Sequence, residues 1–178
     1  QHVELARDIA IRFNNKYGET FKVPEPMIAK VGAKIMDLAD PTKKMSKSEE
    51  NPKGIIFLLD PDEVIRKKIM SAVTDSDNTI KYDPDNKPGV SNLLTIYSCL
   101  TGISIDDAVN HFTSYGYGDF KKEIADTVIN YLAPIKAKYE ELINSKVIDD
   151  ILENGRQKAL EIAKLKYEEV KNKVGLGL

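Results

Sequence analysis

After Asp60 every apolar pattern in the chain repeats at helical spacing, and this limits the architecture more than any other feature. Ile124, Val128, Tyr131, Leu132, Ile135, Tyr139 and Leu142 fall on one face of a helix predicted over 118–144. Ile148, Ile151, Leu152, Ala159, Ile162, Ala163, Val170 and Val174 form the stripe of another over 146–173. Shorter helices are predicted over 61–73, over 90–101 with Gly102 closing it, and from Ser104, a good capping residue, to about residue 114. Pro134 is expected to kink or split its helix, and Asn154-Gly155 to interrupt the last one. A helix with one apolar face needs a partner for it, so 61–178 reads as an all-α bundle.

The first 60 residues have a different grammar. Residues 2–17 carry Val3, Leu5, Ile9, Phe13 and Tyr17 on a helical stripe that ends at Gly18. Over 20–38, two prolines and a glycine exclude a long helix, and the scattered apolar residues suggest short strands and turns. "GIIFLLD", residues 54–60, is a continuous apolar run of strand length, the pattern of a strand buried on both faces. Asp60-Pro61-Asp62-Glu63 then reads as a helix start with Asp60 as its cap. The fold class expected is therefore an α/β remnant over 1–60, the end of a domain, followed by the helical bundle over 61–178, mostly α overall.

Between these parts lies "KKMSKSEENPKG", residues 43–54, where a chain of net charge −2 gathers its positive charge on one turn. Lys44 and Lys47 are compact cations on flexible stems beside the hydroxyls of Ser46 and Ser48, a set that suits phosphate oxygens. It is not a Walker A loop, so side chains rather than a nest of amides would hold a phosphate. Composition alone leaves a solvated basic turn as the plainer reading.

The remaining candidates carry less. The charge is balanced along the chain, 15 Lys+Arg against 18 Asp+Glu over 1–120 and 11 against 10 over 121–178, so any nucleic-acid contact must be local. Asp75, Asp77, Asp83 and Asp85 crowd one loop but fail the EF-hand template, with Ile80 where its glycine belongs, and read as turn and cap residues. His2 and His111 read as surface or packed histidines, and Cys99, the single cysteine, as a small buried apolar residue on a helical stripe. One cysteine excludes an internal disulfide and suits a reducing, cytoplasmic setting. Tyr115 and Tyr117 could stack on bases but more often such aromatics pack.

"KMSKS" at 44–48 is identical to the signature loop of class I aminoacyl-tRNA synthetases. With "KVGAKIMDLADPTKKMSKS", "SAVTDSDNTIKYDPDNKPGVSNLLTIYS", "GYGDFK" and the closing "GLGL", the chain resembles bacterial tryptophan–tRNA ligases over essentially its whole length, and about the C-terminal half of theirs. The tyrosine enzymes are the nearest relatives with different loop surroundings. The resemblance implies an enzyme that joins tryptophan to ATP, with magnesium assisting, and then passes the acyl group to tRNA. Lys44 and Lys47 would stabilise the departing pyrophosphate. Ser46 and Ser48 would order the loop or donate to phosphate, and Ile35 and Met45 would lie against adenine. Residues 1–60 would close a Rossmann-type catalytic domain and 61–178 would bind the anticodon, with Tyr115, Tyr117, Lys121 and Lys122 as guesses for that contact. It also implies a homodimer and inactivity of these 178 residues alone; from the residues themselves, no run reaches the length of a membrane span, and one cysteine and two histidines build no zinc cluster without carboxylate help, so neither a membrane nor a metal is expected. A free-standing tRNA-binding helical module, the related tyrosine–tRNA ligase and a bundle with no nucleic-acid partner are the competing readings.

Overall fold

The computed structural model describes residues 1–28, 32, 34–48 and 51–177. It is mostly helical: α1 (His2–Tyr17), α2 (Asp62–Met70), α3 (Pro88–Thr101), α4 (Ile105–His111), α5 (Tyr117–Ile143) and α6 (Val147–Lys173), with one 3-10 turn at Pro52–Gly54. The chain divides into two compact units, Ala29–Glu141 and a second made of Gln1–Ile28 with Leu142–Leu178. These cuts differ from a division at residue 60, which concerns roles rather than compactness.

Ala29–Glu141 holds the core. Ile65 and Ile69 of α2, Val90, Leu93 and Leu94 of α3, Phe112, and Phe120 and Ile124 of α5 are at most 1 % exposed. Burying side chains of this size contributes roughly 1.5–3 kcal/mol each. Phe112 sits at the centre of an aromatic cluster, edge-on to Tyr97 at 4.8 Å and to Phe120 at 4.9 Å. Local chemistry sets the helix ends as expected at two places. Gly102 closes α3 with φ 77°, and the Ser104 hydroxyl accepts from the Asp107 amide to start α4. Two expected breaks, a split at Pro134 and an interruption at Asn154-Gly155, do not occur. α5 runs unbroken past Pro134, and α6 past Asn154-Gly155.

The other unit is held by polar contacts as much as by apolar ones. Phe13 packs on Tyr17 and Phe21, with ring centroids 4.7 and 4.9 Å apart. Asn14 accepts from the amides of Thr20 and Phe21, and Lys166 and Lys173 of α6 donate to the carbonyls of Thr20 and Glu19. Ala10 and Thr20 are its buried residues, and the long stripe of α6 lies exposed.

Two expectations are corrected here. Among the described residues no strand forms, and the apolar run 54–60 is a turn. A buried strand needs ladder partners on its edges, and the described chain supplies none. Instead Ile55 enters the core, Phe57, Leu58 and Leu59 stay exposed, and Asp60 closes the turn by accepting from the Phe57 amide at 3.0 Å. Asp60 is consequently not the cap of α2: its carboxylate also pairs with Lys68 at 2.6 Å, and the first turn of α2 bonds to the Pro61 carbonyl. Expected short strands over 20–38 reduce to extended chain and a single antiparallel bridge, Met36 with Lys44. Residues 29–31 and 33, within that stretch, lie outside the described residues.

Candidate functional site: a pinned lysine loop

The loop around Lys44–Ser48 rests on a stem with a regular hydrogen-bond pattern. Residues 35–37 run antiparallel to 43–45: the Met45 amide donates to the Ile35 carbonyl at 2.9 Å and the Asp37 amide to the Lys43 carbonyl at 2.9 Å. Between them the peptide groups of Met36 face the other way, as alternate residues of an antiparallel pair must. They meet Asn92 of α3, whose Oδ1 accepts from the Met36 amide and whose Nδ2 donates to its carbonyl, both at 2.8 Å. Farther along, the Leu38 amide donates to the Gly54 carbonyl and the Val73 amide to the Leu38 carbonyl. Asp37, buried, accepts from the amides of Ala39 and Asp40.

The tip is different. Lys44, Lys47 and Ser48 are exposed, and the hydroxyls of Ser46 and Ser48 lie 3.1 Å apart. Among the described residues neither Lys44 nor Lys47 forms an ion pair, whereas the neighbouring Lys43 reaches Asp40 at 3.3 Å. Asp40 is held below the usual carboxylate range, chiefly by the Thr42 hydroxyl and amide. Two ammonium groups and two hydroxyls thus stand together on a fixed base, with no described carboxylate taking up their charge.

Ile35 and Met45, adjacent across the stem, pack against the core and line an apolar recess of about 340 Å³ with Ile56, Ile96, Cys99 and Val128. Cys99 is exposed there rather than buried, because the buried face of α3 ends at Ser98. Partial burial still pushes its thiol pKa up.

The acidic loop does act as turn chemistry, though not as helix caps. Asp75 and Asp77 converge on Lys87 Nζ, Asp75 at 3.1 Å, and the Tyr117 hydroxyl donates to Asp75 at 2.6 Å. Burial would lower the Lys87 pKa, but the bonds to Asp77 and Asp75 outweigh it and raise it. Burial and the Asp75 bond push Tyr117 up to about 12. Among the described residues no group of three or more His, Cys, Asp or Glu could hold a metal ion. His111 meets Glu123 at 2.6 Å and stacks on Tyr97. Of the four guessed anticodon residues, Tyr117 and Lys121 are engaged internally, Lys121 with the Ala72 carbonyl at 2.8 Å. Tyr115 and Lys122 line an open polar recess. Asn92 was missed by sequence reading; the available signal was an amide in the middle of "GVSNLLTIYS", where an apolar residue is the rule.

The chain is similar to known proteins along nearly its whole length. The family model described as tRNA synthetases class I (W and Y) matches residues 1–133. The tryptophan–tRNA ligase of Oceanobacillus iheyensis is 55% identical over 177 residues, covering 99% of this chain and 54% of the relative. That of Halalkalibacterium halodurans is 51% identical over the same span and shares. The crystal structure of tryptophanyl-tRNA synthetase from Mycoplasma pneumoniae superposes with a TM-score of 0.90 at 35% identity, covering 99% of this chain and 53% of that one. The chain thus spans about half the length of the relatives it matches. It belongs to the class I tRNA synthetase family of the tryptophan and tyrosine enzymes.

Proposed function

We propose that this chain works as part of a tryptophan–tRNA ligase, which activates tryptophan with ATP and transfers it to tRNA. The observation that carries the reading is the pair Lys44 and Lys47, exposed and unpaired among the described residues on a stem bonded along both edges, in a chain about half identical to such ligases. The tryptophan carboxylate attacks the α-phosphorus of ATP, the bond to pyrophosphate breaks, and negative charge gathers on the leaving oxygens. Ammonium groups that meet that charge best in the transition state speed the step. Lys44 and Lys47 take this role, and Ser46 and Ser48 donate to phosphate or to each other. Magnesium arrives with the nucleotide, held by its phosphates, since the loop offers cations and hydroxyls rather than carboxylates.

Ile35 and Met45 present apolar surface to the adenine edge. Residues 1–60 serve the catalytic domain and 61–178 the anticodon contact, where near-neutral charge suits reading by a few placed groups. The enzyme acts in the cytoplasm, as a homodimer; no helix among the described residues is long and apolar enough to cross a membrane. The test is tryptophan-dependent ATP–pyrophosphate exchange and tRNA charging by the full-length protein. Robust exchange with tryptophan and none with tyrosine supports the reading, and absence of both ends it. The 178 residues alone are expected to give no exchange.

A further inference from the structure

We propose that Asn92 is a positioning residue for the Lys44–Ser48 loop, acting from α3 through Met36; the inference rests on the function proposed above. The residue is 5 % exposed and borders a recess shared with Met36, Ser91 and Thr95. A buried amide costs free energy unless both of its ends are bonded, and an apolar residue would serve packing at least as well. Both ends are bonded, and to one residue: Oδ1 to the Met36 amide and Nδ2 to the Met36 carbonyl. The side chain therefore replaces one rung of an antiparallel ladder and acts as a second edge for the strip 35–37.

The first edge of that strip is the loop itself, through Ile35 with Met45 and Asp37 with Lys43. Met36 is the residue directly bridged to Lys44. Lys44 thus springs from a backbone that Asn92 grips one strand-width away, about 4.8 Å in the general geometry of paired strands. An amide with its donor and acceptor fixed by helix α3 allows one orientation of the Met36 peptide groups. That orientation sets the plane and register from which both lysines project. Without it two bonds still tie the loop to the strip, but the strip is no longer tied to the helix along that edge.

The test uses the full-length protein and two variants. Asn92→Ala removes both bonds. Exchange at saturating substrates is expected to fall about tenfold while the tryptophan KM stays within about twofold, the signature of a lost transition-state arrangement. Asn92→Asp keeps the size and the acceptor for the Met36 amide, but at neutral pH sets a carboxylate oxygen against the Met36 carbonyl. Protonated, the same group donates to that carbonyl as the amide does. Its rate relative to wild type at equal pH is therefore expected to climb between about pH 8 and about pH 5.5, since burial raises a carboxyl pKa.

A readout free of activity accompanies these. Trypsin is expected to cut after Lys44 and Lys47 faster in both variants, with cleavage elsewhere unchanged. Wild-type exchange in Asn92→Ala overturns the proposal, and so does unchanged cleavage at the loop. A flat pH ratio for Asn92→Asp, with kcat and KM moving together and cleavage faster everywhere, assigns the residue to folding only and also overturns it. Failure of the wild-type protein itself to exchange sinks the functional reading instead, and the cleavage pattern still decides the role of Asn92.

Discussion

Two loops of one compact unit each present lysine, and they treat it in opposite ways. Lys87 is enclosed at the foot of α3, its ammonium taken up by Asp75 and Asp77 and approached by the Tyr117 hydroxyl. Lys44 and Lys47 stand on a tip where no described carboxylate reaches them, although the backbone beneath is bonded on both sides. Under the function proposed above, the contrast separates a cation that closes a fold from cations kept available for a ligand. A paired charge is already neutralised and has little left to give an incoming phosphate. An unpaired one keeps its full field for the moment at which charge develops.

The largest effect that would break or sharpen this contrast is expected from Lys47→Ala in the full-length protein. Adenylate formation should slow by about 10²–10³-fold, the usual loss when one preorganised group facing developing charge is removed. Thermal stability should hardly move, because exposed substitutions away from packing stay within about 0.5 kcal/mol. Stopped-flow or exchange rates with a melting curve on the same sample decide it. A parallel fall in both would place Lys47 with Lys87, among the structural lysines.

Lys87→Met is the mirror experiment. It leaves Asp75 and Asp77 facing each other across a site where Asp75 Oδ2 is buried without a partner among the described residues. The midpoint of thermal unfolding should drop by several degrees, while exchange measured well below it stays near wild type. The pH dependence follows from the same groups. Asp77 is held low, first by Lys87, so its contribution is present above the ordinary carboxyl pKa of about 3.9 and is lost as pH falls through its lower folded value. Tyr117 and Lys87 are raised, so theirs is present below the ordinary tyrosine pKa of about 10 and is lost as pH rises through the folded values. Wild type should therefore lose more stability than Lys87→Met at the acid end, where Asp77 loses its first partner.

The stem supplies a third, smaller test. A Cβ on Gly54 would fall 1.8 Å from Asp37 Oδ1, and that carboxylate is held in place by the amides of Ala39 and Asp40. Gly54→Ala should cost about 1–3 kcal/mol, the usual range for overpacking a tight site, seen as a lower denaturant midpoint. If the loop tip depends on the stem, exchange should fall as well, by less than in Lys47→Ala.

What the sequence disclosed divides along the same line of local against distant. Gly102 and Ser104 announced their helix ends because a left-handed closure and a hydroxyl cap are settled within four residues. The lysine loop stood out because its five residues match a family signature inside flanks that match as well. "GIIFLLD" misled because an apolar run does not say which of its residues are covered; here Ile55 is buried while Phe57, Leu58 and Leu59 stay exposed around a turn that Asp60 closes. Asp60 looked like a cap for α2 because its competing partners, the Phe57 amide and Lys68, are invisible in the local pattern. Asn92 and Met36 are 56 positions apart, and nothing in either neighbourhood names the other. Likewise Lys87 and Lys44 look alike in composition; their opposite treatment depends on where Tyr117 and Asp75 come to lie.

The smallest effect expected isolates that last point. Asp75→Asn keeps the shape of the side chain and removes the charge that the Tyr117 hydroxyl faces at 2.6 Å. Burial and the Asp77 carboxylate, 3.3 Å from the hydroxyl, still oppose the phenolate, so the Tyr117 midpoint should move from about 12 only part of the way toward the ordinary value of about 10. The phenolate absorbance of Asp75→Asn, less that of the same variant carrying Tyr117→Phe, reads this one tyrosine among the eight. Lys87→Met should shift it the other way, because the ammonium stabilises the phenolate. A Tyr117 midpoint indifferent to both changes would mean that the three groups do not meet in solution, and Lys87 would then be as available as Lys44.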